Sequence, residues 1–141
     1  MALKTALPAD IEQRLLTLGA ALAAACPEIE FAYLFGSAST GRATRGSDVD
    51  VAIYVSDSAD AHLVRLEASR VATRHLSTDA IDVVLLNTAP LALAGRILIT
   101  RQVIVDRHPF LRHRYESLTA RKFQDFRVRE HRLLAERYAR G

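Results

Sequence analysis

The sequence is poor in cysteine and has no tryptophan and no long apolar run. With Cys26 as its only thiol, the chain has no internal disulfide, which fits a reducing compartment such as the cytoplasm. The apolar segment LLTLGAALAAAC, residues 15–26, is shorter than the roughly 20 residues of a membrane helix. The acidic residues Asp10 and Glu12 precede it, which is not the pattern of a secretory signal. We therefore expect a cytoplasmic protein without a membrane segment.

Acidic residues are scarce in the last quarter of the chain. Residues 107–141 carry ten Lys or Arg against four Asp or Glu, whereas residues 1–106 carry nine against twelve. The formal net charge of +3 therefore hides a basic C-terminal segment and a slightly acidic remainder. A basic segment can meet nucleic acid, a nucleotide or an acidic protein surface, or it can be a solvated helix face rich in arginine. The composition leaves these alternatives open.

Repeats, low-complexity tracts and linkers are also missing. At 141 residues, half of them apolar and a quarter charged, the chain has the composition of one globular domain, which we expect to span residues 1–141. The histidines are scattered without metal-ligand spacing, at positions 62, 75, 108, 113 and 131.

Apolar periodicity predicts strands that alternate with helices. The predicted strands are 30–35, 49–55, 80–86 and 102–106. The predicted helices are 9–25, 58–75 and 90–99, with a short helical turn at Gly36 and Ser37 and Pro90 as the first residue of the third helix. Residues 108–140 predict one long helix or a bent pair. This order is typical of an α/β or α+β fold in which helices cover a small mixed sheet of about four strands.

Two carboxylates stand at the entrance of the second predicted strand, in SDVDVAIYV, residues 47–55. Side chains two residues apart in a strand share a face, so Asp48 and Asp50 should project together. Their burial is costly without compensation, and Mg²⁺ bound to substrate phosphates is a suitable compensating group. Two such ions can clamp the attacking and leaving oxygens of a nucleotidyl transfer. Asp82, in IDVV of the third strand, is the candidate third carboxylate if the two strands are neighbours.

The turn after the first strand offers groups that bind phosphate. Gly36 allows a ligand to approach the backbone closely, and Ser37 can cap a helix or donate its hydroxyl. Backbone N–H groups at a helix start, together with the helix dipole, favour a polyphosphate. The sequence therefore predicts a phosphate-binding turn followed by a metal-binding strand.

The segment GSASTGRATRGSDVD, residues 36–50, has the order GS, ten residues, DxD. It resembles the signature of the DNA polymerase beta-like nucleotidyltransferase superfamily. The small size, IDVVLLN and RYESLTARKFQDF resemble the minimal nucleotidyltransferases that serve as antitoxins to HEPN-domain toxins. The resemblance implies the nucleotidyltransferase fold and a set of nucleotide-binding residues: Gly36, Ser37, Arg42 and Ser47. For Arg42 it leaves open a phosphate or partner contact, and for Ser47 a role in supporting the turn. It also implies that Asp48, Asp50 and Asp82 are the catalytic metal ligands.

By this resemblance, the chain would be a Mg²⁺-dependent enzyme with two ions. It would transfer AMP from ATP to a hydroxyl, by analogy a tyrosine, of a HEPN toxin in a hetero-oligomer, and so act as an antitoxin. We see none of the substrate-binding domains of larger relatives, so we expect the partner to bring the acceptor and expect no direct nucleic-acid binding. One alternative is a non-catalytic antitoxin that only masks its toxin. The other is a transferase for RNA or a small molecule, which only the basic segment supports.

Overall fold

The protein is described by a computed structural model that covers residues 6–42, 44 and 46–139. Four strands form a mixed sheet in the order β3-β2-β1-β4. They are β1 (Ile29–Phe35), β2 (Val49–Val55), β3 (Ile81–Leu85) and β4 (Gln102–Asp106). The helices of the described residues are α1 (Ile11–Leu16), α2 (Leu18–Ala25), α3 (Ala61–Leu76), α4 (Leu91–Thr100) and α5 (Pro109–Ala139). The predicted fold class, a small mixed sheet covered by helices, is confirmed.

Strand direction follows from the connections. β1 is antiparallel to both β2 and β4, whereas β2 and β3 are parallel and joined through α3. A parallel pair needs such a crossover, because a short hairpin can join only antiparallel strands. The carboxylate-bearing strands β2 and β3 are therefore neighbours that begin at the same end of the sheet.

The two faces of the sheet are covered by different helices. Alternate residues of β2, such as Val51 and Ile53, pack in one core cluster with Leu22 of α2 and Ala68 of α3. The residues between them, such as Ala52, pack in a second cluster with residues of α4 and α5. This alternation is the two-residue period of a strand that is buried on both faces.

The predicted first helix, 9–25, is wrong in its continuity. It breaks at Thr17, which separates α1 from α2. The Thr17 hydroxyl bonds to the Arg14 carbonyl and, at 2.8 Å, to the His75 ring on α3. A threonine hydroxyl that bonds to nearby groups competes with regular helix geometry, and here a distant side chain contributes to that competition.

The start of α4 also differs slightly from the prediction. Pro90 precedes the first helical residue, and no side chain caps the helix. Asn87, three residues before Pro90, does not cap the helix, because its side chain accepts from the Val55 N–H at 2.9 Å and donates to the Val55 carbonyl at 2.8 Å. Its amide side chain therefore continues the pairing of β2, which ends at Ile53 on the β3 side, to the last residue of β2.

Helix α5 is one continuous helix rather than a bent pair, and both forms had been predicted. It ends at Ala139, and the predicted last residue, 140, lies outside the described residues. Its 31 residues make it about 46 Å long. The first part docks on the sheet, where the Tyr115 ring lies against the rings of Phe31 and Tyr54. In the second part, residues 120–139, every residue is exposed except the half-buried Phe123. We call residues 120–139 the arm.

Ion pairs around the buried Glu116 hold the docked part of α5. The Glu116 carboxylate accepts from the Tyr33 hydroxyl at 3.1 Å, from Arg101 at 2.6 Å and from Arg112 at 2.8 Å. Burial, and the neighbouring Glu116 carboxylate, raise the pKa of Tyr33 far above its usual range. Despite its length, α5 is too polar to cross a bilayer, and none of the other helices in the described ranges could do so either.

Candidate active site

Asp50 and Asp82 lie side by side. In the parallel register of β2 and β3, Asp50 is directly paired with Asp82. On its other side, Asp50 is paired with Phe35, the last residue of β1. The expectation that Asp82 stands beside the Asp50 strand is therefore confirmed, whereas the role of these residues stays a prediction.

These carboxylates share the face of the sheet that α4 and α5 cover. Asp50 is two residues before Ala52, and Asp82 is two residues before Val84, and both of these packed residues belong to the α4/α5 cluster. Asp48 lies one residue outside β2, whose first N–H, at Val49, donates to the Ala80 carbonyl. Asp48 and Asp50 are half-buried and Asp82 is exposed. The arrangement leaves at least one carboxylate open to an incoming group.

The short helical turn predicted at Gly36 and Ser37, after β1, is confirmed. It is a single 3-10 turn, Gly36–Ala38. Three residues do not build the dipole of a helix, and the Gly36 N–H donates to the Thr100 hydroxyl at 2.9 Å. The helix dipole is therefore a minor contribution at this turn, whereas phosphate binding by Gly36 and Ser37 stays a prediction. Ser37 is half-exposed at the same corner of the sheet.

Gly36 has a structural reason to be glycine. Its φ is +72°, a region that side chains disfavour, and a Cβ at this position would lie 2.7 Å from Oδ2 of Asp50. The backbone of the turn therefore lies so close to the Asp50 carboxylate that only glycine fits at position 36 without displacing it. This contact joins the two halves of the GS…DxD signature in space.

Two residues that the sequence did not reveal hold this turn. Thr100, at the end of α4, accepts the Gly36 N–H, and its carbonyl accepts from the Ser39 hydroxyl at 2.6 Å. Ser39 also donates to the Gly36 carbonyl at 2.8 Å. Because Thr100 is 64 residues from Gly36, no local pattern could have found it.

The other two predicted nucleotide-binding residues, Arg42 and Ser47, lie in the loop between the turn and β2. The Arg42 N–H donates to the Ser37 carbonyl at 2.9 Å, and Arg42 is exposed. The Ser47 hydroxyl accepts from the Thr44 N–H at 2.9 Å, and the Ser47 N–H donates to the Thr44 carbonyl at 3.0 Å. These contacts are those of a residue that supports the loop, one of the roles expected for Ser47.

The donor set fits a magnesium ion that arrives with a nucleotide. Within residues 6–42, 44 and 46–139, no three His, Cys, Asp or Glu side chains converge closely enough to hold an ion by themselves. Mg²⁺ keeps several waters and takes phosphate oxygens, so it does not need a cage made only of protein ligands. Adjacent carboxylates at Asp50 and Asp82, with Asp48 beside them, are the oxygen ligands that it prefers.

We predict that Gly36→Ala damages the site more than it damages the fold. The methyl group would force the Asp50 carboxylate to move, because only 2.7 Å separates them. The positive φ alone costs about 1–2 kcal/mol. Gly41 is the matched control, since it has the same φ of +72° and open space around its Cβ. We expect similar losses in urea midpoint for Gly36→Ala and Gly41→Ala, and a loss of nucleotide binding only for Gly36→Ala. Equal nucleotide binding by the two variants would contradict the prediction.

A cleft of about 700 Å³ between α1–α2 and α3 lies on the other side of the sheet. Its lining includes two ion pairs, Arg14–Asp10 at 2.9 Å and Arg70–Glu67 at 2.6 Å. The cleft is separated from Asp50 and Asp82 by the sheet itself, so it is not part of the carboxylate site.

A family model and a curated protein that are similar to this chain both concern nucleotidyl transfer. The family model "Polymerase beta, Nucleotidyltransferase" matches residues 20–110. The protein adenylyltransferase MntA of Shewanella oneidensis is 33% identical over 72 residues, which are 51% of this chain and 50% of that protein. The alignment thus spans only half the length of this curated relative.

Solved structures share the fold. A chain from a crystal structure of a toxin-antitoxin with AMP-PNP superposes with a TM-score of 0.68 at 23% identity, over 89% of this chain and 96% of the other. A chain from a complex of the tri-AMPylated Shewanella oneidensis HEPN toxin with an MNT antitoxin gives 0.62 at 21% identity, over 89% and 94%. At these identities the likeness concerns the fold.

Proposed function

The chain belongs to the polymerase beta nucleotidyltransferase family, and from this premise we propose that it transfers AMP from ATP to a hydroxyl group of a partner HEPN toxin, which makes it an antitoxin. The relative with 33% identity is named a protein adenylyltransferase, and chains of toxin-antitoxin complexes have the same fold. These similarities support a protein as the acceptor.

One observation carries the proposal. Asp50 and Asp82 are directly paired on adjacent strands, and the Gly36 turn lies against Asp50. Like charges paired across strands destabilise a sheet, so a protein that only bound its partner would gain nothing from this pair. Gly36 supports the same conclusion, because a side chain at this position would crowd the Asp50 carboxylate.

The positions of the residues support the roles that we propose for them. The Gly36 turn and the Ser37 hydroxyl would bind the triphosphate, and the exposed Arg42, whose N–H donates to the Ser37 carbonyl, would add positive charge. Asp48, Asp50 and Asp82 would hold Mg²⁺, two ions in our proposal, which when bound neutralises charge on the phosphates. The acceptor oxygen forms a bond to the α-phosphorus, the bond to pyrophosphate breaks, and the hydroxyl proton leaves to a base. In our proposal Asp82, the exposed carboxylate, takes that proton.

The tyrosines of this chain are poorly suited to accept AMP themselves. Tyr33 is fully buried, and burial raises the pKa of Tyr54 and of Tyr115. Tyr138 is exposed, but it lies near the end of the arm. We therefore expect little turnover without a partner.

The experiment is a labelling assay with ATP radiolabelled at the α-phosphorus. The chain, Mg²⁺ and the purified HEPN toxin are incubated together, and we expect covalent label on the toxin. EDTA should prevent the labelling, because it removes the Mg²⁺ that neutralises the triphosphate, and the carboxylates carry the same negative charge as the phosphates. The chain without toxin is the control and should stay nearly unlabelled. Label that persists in EDTA would contradict the metal requirement. Loss of toxin activity without any label would instead favour an antitoxin that only masks its toxin.

A further inference from the structure

The buried face of α5 continues onto the arm, where no described part of the chain covers it. Glu116 and Thr119 are buried against the body, and Phe123 packs on Gly95 of α4. At the same helical spacing, three and four residues apart, the face continues through Phe126, Glu130, Leu134 and Tyr138. Phe126, Leu134 and Tyr138 are 42%, 45% and 84% exposed.

A helix face of this kind indicates a missing contact. Most helical stability in proteins comes from the packing of an apolar face, since short isolated helices are marginal in water. The arm keeps the apolar face for about four turns after the last contact with the body, at Phe123. Large apolar side chains aligned on one exposed helix face mark an interaction surface, whereas single scattered ones do not.

The arm is joined to the side of the sheet that bears the carboxylates. α5 packs on the face from which Asp50 and Asp82 project. In the docked part of α5, Glu116 forms an ion pair with Arg101. Arg101 directly follows Thr100, whose hydroxyl accepts the Gly36 N–H. A protein bound along the arm therefore sits on the same side as the reacting groups.

The charge of the arm distinguishes among possible occupants. It carries six basic residues, at positions 121, 122, 127, 129, 132 and 137, against three acidic ones, at 125, 130 and 136. Two copies of a basic helix repel each other, so the charge favours an acidic partner over a second copy of this chain. Nucleic acid is disfavoured because large apolar side chains, those of Phe126, Leu134 and Tyr138, rather than a continuous row of cations, lie exposed on this face.

We propose that the arm is the docking surface of the acceptor protein, and that its Phe126, Leu134 and Tyr138 insert into an apolar groove with an acidic rim. This is the helix-in-groove mode, read as anchors three and four residues apart. The acidic rim would meet Arg127 and Arg137 beside the apolar stripe. The inference rests on the proposed function, and it assigns to the arm the task of holding the acceptor near Asp82.

The test compares two faces of the arm. We expect Phe126→Ala with Leu134→Ala to weaken the binding of the purified HEPN toxin at least tenfold, because anchors in a groove dominate binding energy. Val128→Ala is the matched control, since Val128 is as exposed as Leu134, 45%, but lies on the opposite side of the helix. Calorimetry without ATP measures binding alone, and circular dichroism checks that the helix persists. A double variant that binds like the parent, or a Val128→Ala variant that loses as much, would overturn the inference.

Charge reversal and two further measurements separate the alternatives. Reversal of Arg121, Arg127 and Arg129 to Glu should slow association with the toxin and reduce its dependence on salt. A dimer of the chain alone that Phe126→Ala with Leu134→Ala dissociates would make the arm a self-interface and overturn the inference. Binding of single-stranded RNA that the arginine reversal abolishes, with toxin binding intact, would overturn it as well. AMP transfer that survives in an arm variant with normal toxin binding leaves the proposed function standing while the docking surface fails.

Discussion

Replacing Asp48 and Asp50 together with Asn is expected to abolish AMP transfer and to leave the fold as stable as before or more stable. Asparagine keeps the size of the side chain but loses the charge that a nucleotide-bound Mg²⁺ requires. Asp50 is paired directly with Asp82 on the next strand, so the change also removes a like-charge pair. We expect the transfer rate to fall by about 10³-fold or more, in line with the loss of a group that stabilises transition-state charge. Initial rates of toxin labelling and the urea midpoint are the two measurements.

Asp57→Asn is the control for this experiment. Asp57 is exposed and lies two residues beyond the other end of β2, so it removes one negative charge without touching the site. Its transfer rate should match that of the parent. Transfer by the Asp48→Asn, Asp50→Asn variant within tenfold of the parent would show that these carboxylates are not the metal ligands.

Much of the fold was predictable because the strands are strongly apolar. The bounds 49–55 and 102–106 were predicted as the structure has them, since each strand contains a short apolar run, VAIYV or VIV, next to polar residues. The neighbouring positions of Asp50 and Asp82 followed from two strands joined by one helix, a connection that places parallel strands side by side. The candidate site therefore depended on a local pattern plus one topological assumption.

What could not be predicted depends on contacts between distant residues. Thr100 holds Gly36 from 64 positions away, and Asn87 pairs with Val55 from 32 positions away. The break at Thr17 likewise involves His75 on another helix. The short turn at Gly36 was predicted, but the bonds from Gly36 and Ser39 to Thr100 that tie it to the end of α4 were not. Sequence spacing carries no information about any of these partners.

Asp82→Ala is expected to stop the reaction without preventing toxin binding. Asp82 is exposed at the start of β3, so truncation leaves no buried cavity and costs little stability. It removes the third carboxylate, which in our proposal also takes the acceptor proton, and the transfer rate should fall at least as far as in the double variant. Asp79→Ala, three residues earlier and also exposed, is a control for charge loss near the site. A similar drop in both variants would mean that net charge, rather than the position of Asp82, sets the rate.

The central claim, that this chain modifies its partner covalently, is tested most directly by the intact mass of the HEPN toxin. The toxin is weighed after incubation with the chain, ATP and Mg²⁺, with the Asp82→Ala variant in a parallel sample. We predict that the toxin gains the mass of one or more adenylate units with the parent chain and keeps its original mass with Asp82→Ala. A toxin that is fully neutralised by the parent chain but shows no change in mass would contradict the account.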